Sequence, residues 1–369
     1  MIIRNVFLLQ FIHCDQILLP NFIPVEKQTV LITGAAGYIC SWIVKKFLEE
    51  GFSVRATVRD LKDLDKIQHL NDLKSTNEAD LELFEADLLD DGSFDEPAKG
   101  CDILVHTASP FIVQNIKDSQ KQLVLPAIEG TKNVLSAASR SDSLTRVVLT
   151  SSVAAITGDN CESGSGENGI FNESDWNTSS SEDYNPYQYS KTMAEKTAWK
   201  MAENSHWDLI VLNPGFVLGP SLSTRIDGAS VDMMRSLLNG KYRLGVPDIY
   251  LAFVDVRDVA QAHFLAALDQ NISGRNILVS HVGSTPMVAE VLRSEYDRTY
   301  PIPKNVVPKW LVKMTGFIFG LKRDYLERNV GHSFKIDNRK SLEELGMIYR
   351  PVRDTILDHA EQLISMKLI

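Results

Sequence analysis

Val30, Leu31 and Ile32 form a short apolar run without alternation, and Ile39, Ile43, Val44 and Phe47 follow at helical spacing, with Gly34 and Gly37 between. An unbroken apolar run of this length suits a strand buried on both faces of a parallel sheet, so the unit reads strand, glycine turn, helix. The pattern recurs. Phe52–Val58, Leu81–Phe84, Ile103–Val105, Val147–Thr150 and Ile210–Leu212 read as further strands, and Leu123–Ala138 has a helical period. Four strand–helix alternations before residue 160 predict an α/β fold built on a doubly wound parallel sheet.

Beyond Pro214 the alternation is lost, although Asp255–Leu268 and Ile277–Ser280 are expected to return to the main sheet. The domains expected are an N-terminal extension over 1–27, a dinucleotide-binding domain over 28–214 with returns at about 251–280, and a smaller, mainly substrate-binding lobe over 215–369. The extension precedes the nucleotide strand and is expected to be flexible; its apolar stretch Val6–Ile12 is interrupted by Gln10 and lacks a small-residue cleavage site. Residues 158–183 are rich in Gly, Ser, Asn and acidic side chains, which predicts a mobile surface loop and a candidate lid. Trp310–Leu321 is too short to span a membrane and predicts a packed helix beside the substrate site.

Composition narrows the function classes. The 369 residues are 44% hydrophobic and 23% charged, in keeping with a soluble protein, and the net charge of −10 without any basic run argues against nucleic acid. Cys14, Cys40, Cys101 and Cys161 are far apart, with neither a CxxC pair nor zinc spacing. No metal is expected, and the thiols suit a reducing, cytoplasmic location.

The glycine turn aims the N–H groups and positive end of a helix at an anion, and the missing side chains admit a pyrophosphate to the backbone. At the end of the second strand stand Arg59 and Asp60. An Arg there pairs with a ribose 2′-phosphate and a carboxylate accepts from a 2′-OH, so Arg59, directly off the strand, favours NADP(H), while Asp60 keeps NAD(H) open. Asp87, at the end of the third strand, suits the adenine amino group or an N-cap. His106 ends the fourth strand and reads as strand-end packing rather than a base. Small residues after it, Thr107-Ala108-Ser109, let the chain pass close to a cofactor.

Tyr187 and Lys191 are four apart and share a helix face, whereas Tyr189 points elsewhere. A lysine ammonium beside a phenol favours the phenolate, so the expectation is a lowered Tyr187 pKa and proton exchange with a carbonyl or alcohol oxygen. Ser152, at the end of the fifth strand, is placed to hold that oxygen.

Together these stretches resemble the extended short-chain dehydrogenase/reductases, in the branch of the dihydroflavonol, cinnamoyl-CoA and aldehyde reductases. The resemblance covers residues 28–369. It rests on Val30–Ile39, Val54–Asp60, Thr107–Pro110, Val148–Val153, Tyr187–Lys191, Leu212–Pro220 and Phe253–Ala260. It implies a Rossmann-type domain, bound NADP(H), and hydride transfer between a carbonyl and an alcohol. By matching, Ser152 orients the substrate oxygen, Tyr187 is the acid/base, and Lys191 tunes the tyrosine and holds the nicotinamide ribose. Gly34, Ala36, Gly37, Tyr38 and Ile39 meet the pyrophosphate, Arg59 the 2′-phosphate, and Asp87 and Leu88 the adenine. Thr107, Ala108, Ser109, Pro214 and Val217 line the rest of the cofactor site.

Two positions depart from the family pattern: Cys40 replaces its third glycine or alanine and is expected to crowd the helix against the strand and weaken cofactor binding, and Pro126 stands where many relatives have a helical Asn. The cinnamoyl-CoA reductase signature is not visible, so a thioester substrate is not expected. The partner expected is a small carbonyl or alcohol substrate with an apolar body, acted on by a monomer or homodimer. Two alternatives share these residues: a nucleotide-sugar epimerase or dehydratase with bound NAD, and an NADP(H)-binding regulatory protein without turnover. The first calls for an arginine cluster in the C-terminal lobe, and Arg225, Arg235, Arg243 and Arg275 are scattered in sequence.

Overall fold

The computed structural model describes residues 27–76, 80–109, 118–316 and 322–369. The extension up to residue 26 with its Val6–Ile12 stretch, Pro110 of the Thr107–Pro110 motif and the end of Trp310–Leu321 lie outside the described residues. In chain order the first half comprises β1 (Thr29–Thr33), α1 (Tyr38–Glu49), β2 (Ser53–Val58), α2 (Leu64–Thr76), β3 (Leu81–Glu85), α3 (Asp95–Ala98), β4 (Ile103–His106), α4 (Leu125–Arg140) and β5 (Arg146–Thr150). Then come α5 (Pro186–Ala202), β6 (Asp208–Pro214), β7 (Phe216–Leu218), α6 (Ala229–Leu238), β8 (Tyr250–Asp255), α7 (Val256–Leu268), β9 (Gly274–Leu278) and β10 (His281–Ser284). The chain closes with α8 (Thr285–Tyr296), α9 (Lys309–Thr315), α10 (Arg323–Asn329), α11 (Arg339–Glu343) and α12 (Val352–Ser365).

Seven strands form one parallel sheet in the order β3-β2-β1-β4-β5-β6-β9. Both faces are covered, so alternate residues of each strand enter different cores. Val30, Ile32, Val148, Ile210 and Leu212 pack with Ile43, Val44 and Phe47 of α1 and Val259, Ala262 and Ala266 of α7. Leu31, Leu104, Val147, Leu149 and Val211 pack on the opposite face with Val134, Leu135 and Ala138 of α4. This double burial removes the polar half of the usual strand pattern. Strand order reverses between β1 and β4, and the crevice at their carboxyl ends is where such sheets bind ligands.

β10, β8 and β7 form a second, three-stranded sheet. Leu218 and Phe253 from it pack with Val231 and Met234 of α6, Val288 and Leu292 of α8, and Ile356 and Leu363 of α12. Of the two segments expected to return to the main sheet, Gly274–Leu278 does so beside β6. Asp255 instead ends a strand of the small sheet, and residues 256–268 are the helix α7 laid on the main sheet beside α1. A continuous helical period is satisfied by packing on a sheet face without entering it. Among the described residues no helix is long and apolar enough to cross a membrane, and no three His, Cys, Asp or Glu side chains are grouped to hold a metal.

Residues 158–183 do not behave as the free lid expected of their composition. Phe171 bridges Ile336, Asn177 donates to the Ala154 carbonyl at 2.8 Å, and Arg275 donates to the Glu173 carbonyl at 2.9 Å. Asp159 is 1% exposed; its carboxylate accepts from Tyr184 (2.8 and 2.9 Å), Asn185 (3.2 Å), Arg328 (3.3 Å) and Asn329 (2.7 Å). Small polar side chains here are the fasteners of the segment, satisfying a backbone that has no regular ladder.

Candidate active site

The glycine turn joins β1 to α1. Gly34 has φ +77°, and a Cβ there would stand 2.9 Å from the Ala108 Cα, so conformation and space both demand glycine. Gly37 is the N-cap of α1, has no side chain to cap it, and the first helical turn carries no acid. That end of α1 therefore presents uncapped positive polarity to the crevice, which fits a pyrophosphate. Thr33 Oγ1 accepts from the Thr107 and Ala108 N–H groups, both at 3.2 Å, and lies 2.9 Å from His106 Nδ1. These bonds lock the β4 loop, with half-buried Ser109 at its described end, against the turn. His106 is committed to this contact, and burial, then the Lys191 charge, push its pKa down to about 3.

The other residues expected at a cofactor fall into two groups. The Ala36 carbonyl at the turn accepts from Arg225 at 3.0 Å, Arg59 is 82% exposed at the end of β2, and its Nε lies 3.8 Å from Asp87. Leu88 lies against Gly130 and accepts from Asn133 at 2.8 Å, closing the side of this rim. Three side chains are turned into the fold. The Tyr38 phenol donates to the Gly219 carbonyl at 2.6 Å, Ile39 packs against the main core, and Val217 is part of that core at 8% exposure. Tyr38 and Ile39 therefore offer the turn their backbone, and Val217 offers β7 a buried anchor.

Cys40, which replaces the small residue of the family pattern, does not crowd the turn. It is 1% exposed and its Sγ donates to the Thr33 carbonyl at 3.2 Å. Burial, partly offset by a hydrogen bond with Thr107, pushes its thiol up to about 12. Pro126 sits in the first turn of α4, directly after a π-helical turn over Gln120–Val124 that runs into the helix, so its ring falls where the chain has already left the regular α-helical ladder.

Ser152, Tyr187 and Lys191 meet at the carboxyl ends of β5 and β6. Ser152 caps the short 3₁₀ turn Val153–Ala155, its Oγ accepting from the Ala154 N–H at 3.1 Å and lying 3.5 Å from the Pro214 carbonyl. The Tyr187 phenol is hydrogen-bonded to Ser152, which favours its ionisation, but burial wins and pushes it up to about 12. The net shift is therefore upward, against the expectation of a lowered Tyr187 pKa. The lysine is itself 9% exposed, and burial lowers its own pKa to about 8. A phenol this weakly acidic stays protonated near neutral pH and is suited to giving a proton rather than taking one.

Three features were missed in the sequence. Glu195, 1% exposed and four residues beyond Lys191, opposes the lysine's loss of charge. It accepts from Ser151 (2.5 Å), Asn213 (2.9 Å) and Arg275 (2.6 Å), and Asn213 also donates to the Ser152 carbonyl at 3.1 Å. A polar chain runs behind the cleft: His263 Nδ1 faces the Val259 carbonyl at 2.7 Å, so Nε2 is left to accept from Thr150 at 2.7 Å. Thr150 Oγ1 in turn lies 2.9 Å from Thr107 Oγ1, which orients the β4 loop. Third, Arg225 donates to the Ala36 carbonyl at 3.0 Å across 189 residues of sequence. The Tyr-Lys spacing extended by one more turn is the only sequence signal that points to Glu195.

This fold is shared with known proteins. The model of the NAD dependent epimerase/dehydratase family matches residues 30–279, and the chain belongs to that family. It is 39% identical to the cinnamoyl-CoA reductase CAD2 of Medicago truncatula over 276 residues, 72% of this chain and 80% of that protein. An anthocyanidin reductase of Vitis vinifera is 35% identical over 294 residues, 76% of this chain and 85% of its own length. Among solved structures, the yeast methylglyoxal/isovaleraldehyde reductase Gre2, complexed with NADPH, superposes with a TM-score of 0.76 at 28% identity, covering 92% of this chain and 99% of its own.

Proposed function

We propose that the protein is an NADPH-dependent reductase of an aldehyde or ketone with an apolar body. The observation that carries this reading is the Ser152–Tyr187 hydrogen bond, with Lys191 one turn along the same helix, beside a turn built for a pyrophosphate. The reductase names of the relatives and the NADPH in the yeast structure support it.

When bound, NADPH supplies the hydride that reaches the carbonyl carbon. Ser152 Oγ donates to the carbonyl oxygen and holds it near the Tyr187 phenol. Tyr187 then gives its proton to that oxygen as negative charge develops there. The Lys191 ammonium lies one turn away and stabilises the phenolate left behind. Arg59 meets the phosphate on the adenosine ribose, which an exposed guanidinium at a strand end pairs with readily.

The epimerase reading requires arginines converging on a diphosphate. Arg235 donates to the Leu368 carbonyl and Arg275 is bound to buried Glu195, so these two are spent on different parts of the scaffold. The test is turnover of NADPH with a panel of free aldehydes, ketones and acyl-CoA thioesters, together with a nucleotide-sugar assay. Fastest turnover with a free carbonyl is expected. A thioester as the best substrate would replace the substrate class proposed, and sugar epimerisation without net cofactor turnover would replace the reaction.

A further inference from the structure

The segment from Gly219 to Arg225 belongs to the part of the chain beyond the main sheet's sixth strand, yet it lies along the glycine turn and α1. Three hydrogen bonds fasten it there: Tyr38 to the Gly219 carbonyl at 2.6 Å, Trp42 Nε1 to the Pro220 carbonyl at 2.7 Å, and Arg225 Nη1 to the Ala36 carbonyl at 3.0 Å. The last places a guanidinium, 31% exposed, at the lip of the turn. Its Nε and Nη2 form a fork on Asp227 at 3.0 and 2.6 Å. A guanidinium carries five N–H groups. Among the described residues these bonds engage one on each nitrogen, so each terminal nitrogen has a further N–H to offer.

The position also relates to the β2–α2 connection. Asp63, in that connection, has its carboxyl held below the usual range by Lys66 first and by Arg225 among the rest. His69 on α2 is lowered by burial first and by the Arg225 charge next. Arg225 thus stands between the glycine turn and the segment that follows Arg59, which is the place a dinucleotide's adenosine ribose occupies in this kind of sheet.

We propose that Arg225 is a ligand, besides Arg59, for the 2′-phosphate of NADPH. The inference rests on NADPH being the cofactor. It gives the C-terminal part of the chain a direct share in cofactor selection, and Asp227 acts as the internal competitor that the phosphate displaces from part of the fork.

The experiment is a direct binding titration of NADPH, NADH and adenosine 2′,5′-bisphosphate to the wild type, Arg225→Gln and Asp227→Asn, with a melting curve for each protein. Arg225→Gln is expected to weaken NADPH and the bisphosphate roughly tenfold, the size of one partly screened charge-assisted contact, and to leave NADH unchanged. Asp227→Asn, which frees the fork, is expected to tighten NADPH and the bisphosphate. Equal losses for NADPH and NADH in Arg225→Gln, or no loss for either, overturn the proposal alone. Wild-type protein that binds neither nucleotide overturns the cofactor reading and this proposal with it.

Discussion

Glu195 lies one helical turn beyond Lys191 on α5, and its carboxylate is the charge that opposes the loss of the lysine's proton on burial. The same carboxylate is 2.6 Å from Arg275 Nε and is fully enclosed. Among the described residues, Tyr187 stands one turn before the lysine on the same helix, and His106 on β4, its pKa lowered by burial first, also feels the lysine's charge. A buried pair therefore stands directly behind the residues proposed to move a proton.

This relationship makes a pH profile informative. Lys191 titrates at about 8, so carbonyl reduction should fall as pH rises through that value and the ammonium is lost. Tyr187, at about 12, keeps its proton over the same range and does not contribute to the fall. Glu195→Gln removes the influence that raises the lysine's pKa, and the alkaline limb should move down by about one pH unit. Breaking the buried pair also costs about 3–5 kcal/mol, so Arg275→Gln is the control. It should lose stability while its alkaline limb stays in place or moves up. A limb that moves down equally in both variants would reduce Glu195 to a scaffold residue.

Tyr187→Phe tests the proton donor. The ring still packs, and NADPH affinity should hold. Turnover should drop by at least about 10²–10⁴, the usual loss for a general acid. Tyr189→Phe should be nearly silent, since that side chain shares no face with Lys191. A Phe variant that reduces its best substrate at close to the normal rate ends the mechanism proposed.

Arg59→Ala should raise the NADPH dissociation constant by roughly one decade and leave NADH nearly unchanged. The nearby Asp87 carboxylate, 3.8 Å away, competes for the same guanidinium. Asp87→Asn should therefore tighten NADPH slightly. Isothermal titration of both nucleotides decides it, and parallel losses for the two would make Arg59 structural.

Cys40 is enclosed and its thiolate is disfavoured, so it should not act as a redox control point. Peroxide should affect the wild type and Cys40→Ala alike, and a thiol alkylating reagent should label exposed Cys161 before Cys40. Cys40→Gly should lower the melting temperature, because it removes a packed side chain and frees the backbone, at a cost of about 1–2 kcal/mol. Protection from peroxide in Cys40→Ala would contradict this.

Much of the architecture was legible because its causes are local. The strand–glycine–helix unit is written in residues 30–47, where hydrophobic spacing and two glycines decide the geometry without help from elsewhere. The four-residue separation of Tyr187 and Lys191 likewise places both on one face of any helix they occupy. The fastening of the loop over 158–183 was not legible, because composition describes exposure and says nothing about partners; Asp159 finds its own in Arg328 and Asn329, far along the chain.

The sequence alone therefore determined the sheet, the turn and the pairing of phenol with amine, each set by backbone periodicity over a few residues. The tertiary structure decided what those groups are worth. Burial raised the Tyr187 pKa that a neighbouring cation was expected to lower, because desolvation depends on every chain segment packed around the phenol. It also joined Glu195 to Arg275 across 80 residues and carried Arg225 to Ala36 across 189. No local period encodes such contacts, since they form only once both sheets have closed around their cores.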